Sequence, residues 1–175
     1  MIDLSVIRDL VAIFGVIAGF SYYVLTVRNN NTARKIQLIS HFNQVGTNRD
    51  LSKISLELLD MQWDDYDDFS KKYDSTVNHD NYSKRSTMFT SFAEMGFTLK
   101  EGLIDVKAIC DMLEGGYHVI QMWNKFEPIF MKHREIYSDP KRYSMFEYLV
   151  NELRKERVKQ GMDSKLVNYD RYWKE

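Results

Sequence analysis

The sequence contains little cysteine, proline or glycine. Its 175 residues include one cysteine, Cys110, two prolines and eight glycines. A lone cysteine cannot form an intramolecular disulfide, which fits a reducing compartment, and Cys110 lies in an apolar pattern that favours a small core residue over a nucleophile. The shortage of proline and glycine excludes linkers rich in those residues. We therefore expect one ordinary domain beside any anchor segment.

Motifs for catalysis and cofactor binding are absent as well. The sequence has no HExxH, CxxC or GxSxG pattern and no phosphate-binding loop of the GxxxxGK[ST] or GxGxxG kind. We therefore expect no metal and no cofactor, and an interaction protein rather than an enzyme. A catalytic site assembled from distant residues would nevertheless leave no such motif. The four histidines are spaced too widely to indicate a zinc site: they are His41, His79, His118 and His133.

Neither sign of charge predominates. Lysine and arginine together number 24, aspartate and glutamate together number 25, and the net charge is -1. This balance gives no global attraction to nucleic acid, which is therefore not an expected partner. A basic stretch at residues 154–174 is interpreted as a solvated helix face with a frayed end. Contact of that stretch with phosphates or anionic lipid headgroups is the alternative.

An uncharged apolar run is the most prominent feature that the sequence does contain. It covers residues 10–27, and a helix of that length spans roughly 27 Å, close to the ~30 Å hydrocarbon core of a bilayer. We predict a transmembrane helix there, in contact with membrane lipid. A signal peptide is one alternative, but the acidic start and Tyr22, Tyr23 and Arg28 in place of a small-residue cleavage site argue against it. A buried core helix is the other, because the run is near the lower length limit for spanning.

Basic residues flank this run unequally. Arg28, Arg34 and Lys35 follow it, whereas Arg8 precedes it beside acidic residues. The positive-inside rule therefore predicts a single-pass protein of the cell membrane, inner or plasma, with the N-terminus outside and the C-terminal domain cytoplasmic. The predicted organisation is an anchor at residues 1–31, a helical cytoplasmic domain at residues 32–160 and a tail at residues 161–175.

Two glycines within the run form a GxxxG motif. Gly15 and Gly19 lie on one face of a helix. Small residues let two membrane helices approach closely, so the motif predicts self-association of the anchor into a homodimer. The alternative is that glycine is simply common in membrane helices.

Apolar residues after the anchor recur at helical spacing, and no stretch alternates as a strand does. Leu38, Phe42 and Val45 form one such face, on a helix that either follows a break at residues 29–31 or continues the anchor. We predict an all-α fold, in which the N-terminal transmembrane helix is followed by a multi-helix bundle. The predicted helices cover residues 32–45, residues 48–60, a segment from Asp64 through Tyr73, residues 81–101, a segment capped by Asp105 that ends at Gly115, a segment around Trp123 that Pro128 kinks or restarts, and a segment that starts at Asp139 and Pro140 and loses order from Arg154.

Acidic residues cluster at the start of the third predicted helix. They are Asp64, Asp65, Asp67 and Asp68. Carboxylates in a first turn are stabilised by the helix dipole and cap free N–H groups, which is the interpretation that we favour. The alternative is an exposed surface for a cation or a basic partner, although the glycine of an EF-hand loop is missing.

Short aromatic and turn motifs occur along the chain. They comprise Trp63, Asp64, Asp65, Tyr66, Phe69 and Tyr73, then residues 102–105, then Trp123 with residues 126–128, then Asp139 and Pro140, and then residues 146–149. These motifs resemble those of an uncharacterised family of small prokaryotic proteins. The resemblance implies an N-terminal membrane helix, a helical domain of unknown function and a bacterial or archaeal source. It brings no catalytic residues with it.

Two classes of function remain open from the sequence. The first is a membrane-anchored interaction or regulatory module, for example a subunit of a membrane complex. The second is an enzyme at the membrane surface with a site assembled from scattered residues. A concave pocket with converging polar groups would favour a ligand site, whereas a solid bundle with an exposed apolar patch would favour protein contact.

Overall fold

The computed structural model describes residues 4–47 and 49–163. These residues form seven α-helices and one 3-10 helix, with no strand in the described part. The all-α prediction is confirmed, because a long apolar N-terminal helix precedes a helical bundle. The α-helices are α1 (Leu4–Thr47), α2 (Arg49–Asp60), α3 (Tyr66–Tyr73), α4 (His79–Lys100), α5 (Val106–Met112), α6 (Tyr117–Ile136) and α7 (Ser144–Lys159), with the 3-10 helix at Glu114–Gly116.

The chain divides into two compact units after Leu38. Most of α1 belongs to the first unit and passes through residues 29–31 without a break. The most apolar 18-residue window within Arg8–Phe42 has a mean hydropathy of 2.1, and none of it is buried. Such an exposed apolar surface does not fit a core helix. It does fit a membrane span, and a signal sequence near the N-terminus would meet the same criteria of length and composition.

The second unit begins within the last turns of α1. Phe42 is only 3% exposed there, so this side chain packs in the bundle. Of the other two residues on the predicted face, Leu38 belongs to the first unit, and the side chain of Val45 lies outside the described part of the chain.

Aromatic side chains form the centre of the second unit. Trp123 and Phe130 of α6 lie 5.1 Å apart between ring centroids, and Phe146 of α7 packs edge-on against Trp123 at 5.2 Å. Phe89 of α4 joins them, 5.0 Å from Phe130. Burying each of these side chains contributes roughly 1.5–3 kcal/mol. This cluster fixes α4, α6 and α7 around one core.

Helices α4 and α7 approach each other closely at Gly96. A Cβ atom at this position would lie 1.9 Å from the carbonyl oxygen of Met145 and 3.3 Å from Cβ of Leu149. No side chain fits in that space, so glycine is what allows the two backbones to come together here.

The predicted start of the last helix at Asp139 and Pro140 is wrong, because α7 begins at Ser144. Asp139 instead caps a turn, in which its carboxylate accepts a hydrogen bond from the backbone N–H of Lys141 at 3.1 Å. Tyr143 then has a φ of 62°, in the left-handed region, which prevents the helix from starting earlier. A capping residue followed by proline is therefore present, but it marks a turn and not the start of a helix.

The predicted loss of order from Arg154 is also wrong, because α7 continues to Lys159. Arg157 explains the extension. Its guanidinium is buried, with Nη1 donating to the carbonyl of Gly115 at 2.8 Å and Nε donating to the carbonyl of Asp163 at 2.9 Å. Residues 164–175, which make up most of the predicted tail, lie outside the described part of the chain.

Other local signals mark helix ends as expected. The carboxylate of Asp105 caps α5, accepting from the backbone N–H of Lys107 at 2.8 Å. α4 begins slightly earlier than predicted, where Asn78 accepts from the backbone N–H of Asn81 at 3.0 Å. Helix α6 runs through Pro128, so no new helix starts there.

Candidate functional site

A concave polar pocket of about 310 Å³ lies between α3, α4, the end of α6 and the turn that precedes α7. We call it the arginine pocket. Its walls combine aromatic rings, hydroxyl groups and two guanidinium groups. The lining residues are Tyr66, Phe69, Ser70, Asp74, Ser75, Tyr82, Arg85, Ser86, Phe89, Thr90, Ala93, His133, Tyr137, Arg142 and Tyr143.

Arg85 supplies the first cation from the middle of α4, where it is only 6% exposed. Its Nε donates to Oδ1 of Asn81 at 2.8 Å, and Nη2 donates to the backbone carbonyl of Tyr73. The guanidinium also lies over the ring of Phe69, 4.8 Å from its centroid. Burial lowers the pKa of Arg85, but a guanidinium keeps its charge in proteins. Neutral acceptors and an aromatic face therefore hold a buried positive charge.

Arg142 supplies the second cation from the turn between α6 and α7. Its guanidinium lies 4.4 Å from the ring centroid of Tyr137 and 5.4 Å from that of Tyr143. A hydrogen bond with Tyr143 raises the pKa of Arg142. Its Nε is nevertheless buried without a hydrogen-bond partner among the described residues. A buried donor left unpaired costs free energy.

Neither arginine forms an ion pair with a carboxylate within residues 4–47 and 49–163. Asp74 is the acid that lines the pocket, and its Oδ1 accepts from the backbone N–H of Thr76 at 2.9 Å and from the hydroxyl of Thr76 at 3.0 Å. These hydrogen bonds lower the pKa of Asp74. Its carboxylate is therefore ionised and committed to a turn, and the lining includes two cations for one anion.

The pKa of His133 reflects both its burial and the two nearby cations. Its Nδ1 and the hydroxyl of Tyr143 are hydrogen-bonded at 2.9 Å. Burial and then the charges of Arg142 and Arg85 lower the pKa of His133 to about 4. The imidazole is therefore neutral at pH 7. Burial also raises the pKa of Tyr66, so that hydroxyl stays protonated and can donate to an anion.

The backbone around Arg142 is strained at both ends of its turn. Ser138 has a φ of 51° and Tyr143 a φ of 62°, in a region that side chains other than glycine seldom adopt. Each such residue costs on the order of 1–3 kcal/mol and persists only where its surroundings hold it. Arg134 helps to hold this turn, because its Nε donates to the carbonyl of Arg142 at 2.8 Å. The strain is concentrated where Arg142 is presented to the pocket.

The acidic cluster lies at the start of α3, and two of its carboxylates have structural partners. Asp65 is the N-cap and accepts from the backbone N–H of Asp68 at 2.8 Å. The carboxylate of Asp68 accepts in turn from the backbone N–H of Asp64 at 3.1 Å and pairs with Lys72 at 2.7 Å. The hydrogen bond from Lys72 lowers the pKa of Asp68. Asp64 and Asp67 are exposed, and their contact with a basic partner stays a prediction.

The four aspartates do not line the arginine pocket, although α3 contributes to both features. Within the described residues, no group of three or more histidine, cysteine or acidic side chains is arranged to hold a metal ion. Cys110 is fully buried, and burial raises the pKa of its thiol. A buried, protonated thiol is a poor nucleophile.

Gly15 and Gly19 lie on the exposed surface of α1. A Cβ atom added at either position would meet no atom within 4 Å. The glycines therefore have no packing role within this chain. Self-association of the anchor through them stays a prediction.

A second cavity, of about 430 Å³, lies against a different face of α4. We call it the apolar cavity. Three methionines are prominent in it, and its polar residues are two serines, one glutamate and one histidine. The lining residues are Phe42, Leu51, Ser52, Ser55, Leu56, Met88, Phe92, Met95, Met112, Leu113, Glu114, His118 and Val119.

Sequence reasoning did not single out Arg85 or Arg142, and it noted His133 only as one of four scattered histidines. One signal was available for Arg85. It shares a helical stripe with Phe89 and Phe92, and an arginine on an apolar stripe is either paired in the core or functional. No comparable signal marks Arg142, because its position depends on the turn between α6 and α7.

The fold and the pocket define an all-helical domain with a candidate anion site, preceded by one long apolar helix. The chain belongs to the family described as Domain of unknown function (DUF4760), which matches residues 2–153. This match confirms the resemblance to an uncharacterised family. No curated protein and no solved structure matches the chain.

Proposed function

We propose that this protein is a membrane-anchored helical module that binds a small anion in the arginine pocket and works by recognition rather than by catalysis. The arrangement of Arg85 and Arg142 carries the proposal. Both guanidinium groups line one cavity, neither is paired with a carboxylate in the described part, and Nε of Arg142 is a buried donor without a partner there. Arginine binds planar or tetrahedral oxyanions through parallel N–H donors, so the site suits such a ligand.

Binding is favoured over catalysis by the state of His133. This imidazole is the group in the pocket that would most readily serve as a general base. A base with a pKa of about 4 is far from the pKa that is efficient near neutral pH. An enzyme at the membrane surface, assembled from scattered residues, is therefore the weaker of the two functions. A module of this kind would act as a regulatory or interaction subunit of a membrane complex.

The anchor belongs to the same proposal. Arg28, Arg34 and Lys35 follow the apolar run, which supports a single span with the N-terminus outside and the bundle in the cytoplasm of a cell membrane. Paired reporter fusions after Glu175 test this orientation. A fusion to a reporter that works only in the cytoplasm should be active, and one that works only outside should be silent. The reverse pattern would refute the orientation.

Self-association of the anchor is supported by the open face at Gly15 and Gly19. Replacing both glycines with isoleucine should weaken dimerisation in a membrane two-hybrid assay, because the bulky side chains keep the backbones apart. The matched control replaces Val16 and Phe20 with isoleucine, because these residues lie elsewhere on the exposed surface. An equal signal from both double variants would remove the motif from the proposal.

Anion binding is tested on the full chain in lipid nanodiscs with sodium sulfate as the probe. Sulfate should raise the melting temperature of the wild type in a saturable way, since a ligand that binds the folded state stabilises it by mass action. Sulfate also stabilises proteins non-specifically, so the Arg142→Gln variant and the exposed Lys155→Gln variant are compared with it. Lys155→Gln should behave as the wild type does, whereas Arg142→Gln should keep only the non-specific rise. An identical rise in all three would overturn the proposal.

A further inference from the structure

The arginine pocket presents each of its two cations together with an aromatic ring at the rim. Arg142 lies 4.4 Å from the ring centroid of Tyr137, and Arg85 lies 5.7 Å from that of Tyr82. The two tyrosines are 55% and 47% exposed. Each pair therefore offers donors for an oxyanion and, directly beside them, an accessible ring face.

Four further lining residues are phenylalanine or tyrosine. Phe69 and Phe89 are buried, and Tyr66 and Tyr143 are partly buried. An anion without an apolar part would leave the exposed parts of the tyrosine rings in contact with water. A flat ring would cover them, and aromatic pairs contribute roughly 0.5–1.5 kcal/mol beyond the burial of their area.

The size of the pocket limits the ligand. Its volume of about 310 Å³ is at the lower end of the 300–1,000 Å³ that small-molecule sites occupy. One ring with one charged group suits that volume better than a nucleotide or a peptide segment. Two arginines opposed by Asp74 favour a ligand with one or two negative charges.

We propose that the ligand class of the arginine pocket is an aryl oxyanion, meaning a single planar ring that bears a carboxylate, sulfonate or phosphate group. The inference rests on the proposed function, because it needs the pocket to bind an anion at all. The oxyanion binds the guanidinium groups of Arg142 and Arg85. The ring stacks on Tyr137, beside Arg142, and covers the exposed parts of the neighbouring tyrosine rings.

Three probes separate the charge from the ring on the full chain in lipid nanodiscs. Benzenesulfonate has both and keeps its charge between pH 4 and pH 8, methanesulfonate has the charge alone, and benzyl alcohol has the ring alone. Affinities are measured by calorimetry, and the His133 imidazole is followed by NMR in parallel. We expect benzenesulfonate to bind at least about tenfold more tightly than methanesulfonate, and benzyl alcohol to bind most weakly. Binding of either sulfonate should raise the pKa of His133, since an anion offsets the two arginines.

Rim variants separate the ring contact from the fold. Tyr137→Phe keeps the ring and should keep the preference for benzenesulfonate, whereas Tyr137→Leu should reduce that preference and leave the affinity for methanesulfonate unchanged. Arg142→Gln should weaken both sulfonates. Equal affinities of the wild type for the two sulfonates would overturn the aryl preference and leave anion binding intact. Absence of binding by either sulfonate would overturn the proposed function with it.

Discussion

The arginine pocket and the apolar cavity occupy two faces of the same helix, and they differ in charge far more than in size. Arg85, Phe89 and Ala93 of α4 line the first, and Met88 and Met95 line the second. Their volumes are about 310 and 430 Å³. A helix presents a new face every few residues, so one element can border a site for a charged ligand and a cavity built from core residues.

The difference between the two cavities shows what a buried cation needs. Arg85 can be charged and almost fully buried because an amide oxygen, a backbone carbonyl and an aromatic face surround it. These groups replace much of the hydration that burial removes. Around Met95 the lining is chiefly thioether, alkyl and phenyl groups, which cannot do so. The side chains that surround a position, rather than its depth, decide whether a charge can lie there.

Placing a charge in the apolar cavity should have the largest effect on stability. Met95→Lys places an ammonium group at a position that is 1% exposed. We expect the free energy of unfolding to fall by about 3–5 kcal/mol, the cost of a buried charge without a partner. Urea unfolding of the full chain measures it. Leu56→Lys, at a residue of the same cavity that is 48% exposed, is the control and should change stability by no more than about 0.5 kcal/mol. A loss of stability for Met95→Lys as small as that for Leu56→Lys would mean that the cavity admits water.

Lowering the pH should lower the stability of the fold, because His133 in the arginine pocket becomes protonated. The folded-state pKa of His133 is about 4, below its usual value of 6.5, so the unfolded chain binds a proton first as the pH falls. The stability contributed by the neutral imidazole is complete above about pH 6.5 and is lost between about pH 6.5 and pH 4. Melting temperatures across this range should fall less steeply for His133→Gln than for the wild type.

His118 provides the matched control for this experiment, because it is an exposed histidine that lines the apolar cavity. His118→Gln should follow the wild-type pH profile. A profile for His133→Gln that coincides with both would show that neither burial nor the two arginines lower the pKa of this imidazole.

The smallest effect concerns the acidic residues beside the arginine pocket. Asp65→Ala removes the N-cap of α3 and should lower the free energy of unfolding by about 1 kcal/mol. Asp67→Ala, at an exposed neighbour, should change it by less than about 0.5 kcal/mol. Neither change should alter sulfonate affinity, because neither carboxylate lines the pocket. A large change in affinity would show that the cluster is part of the site.

The sequence is sufficient to predict most of the helices but not the residues that line the arginine pocket. Helical spacing and caps such as Asp105 predict where most helices lie, because these signals depend on neighbours within one or two turns. Asp139 and Pro140 mislead for the same reason, since the left-handed conformation of Tyr143 is set by packing of the turn against α6. The arginine pocket depends on Arg85, Arg142 and His133, which come from α4, from the turn before α7 and from α6. No local sequence pattern predicts that these three residues line one cavity.

The contact between α4 and α7 at Gly96 has an evolutionary consequence. A Cβ atom there would meet the backbone oxygen of Met145, not its side chain, so no substitution at position 145 can make room for it. Position 96 therefore has no compensating partner, and glycine should be retained in every relative that keeps this pair of helices at the same distance. A relative with a larger residue at this position would have α4 and α7 further apart, and its pocket, which α4 borders, would have a different shape.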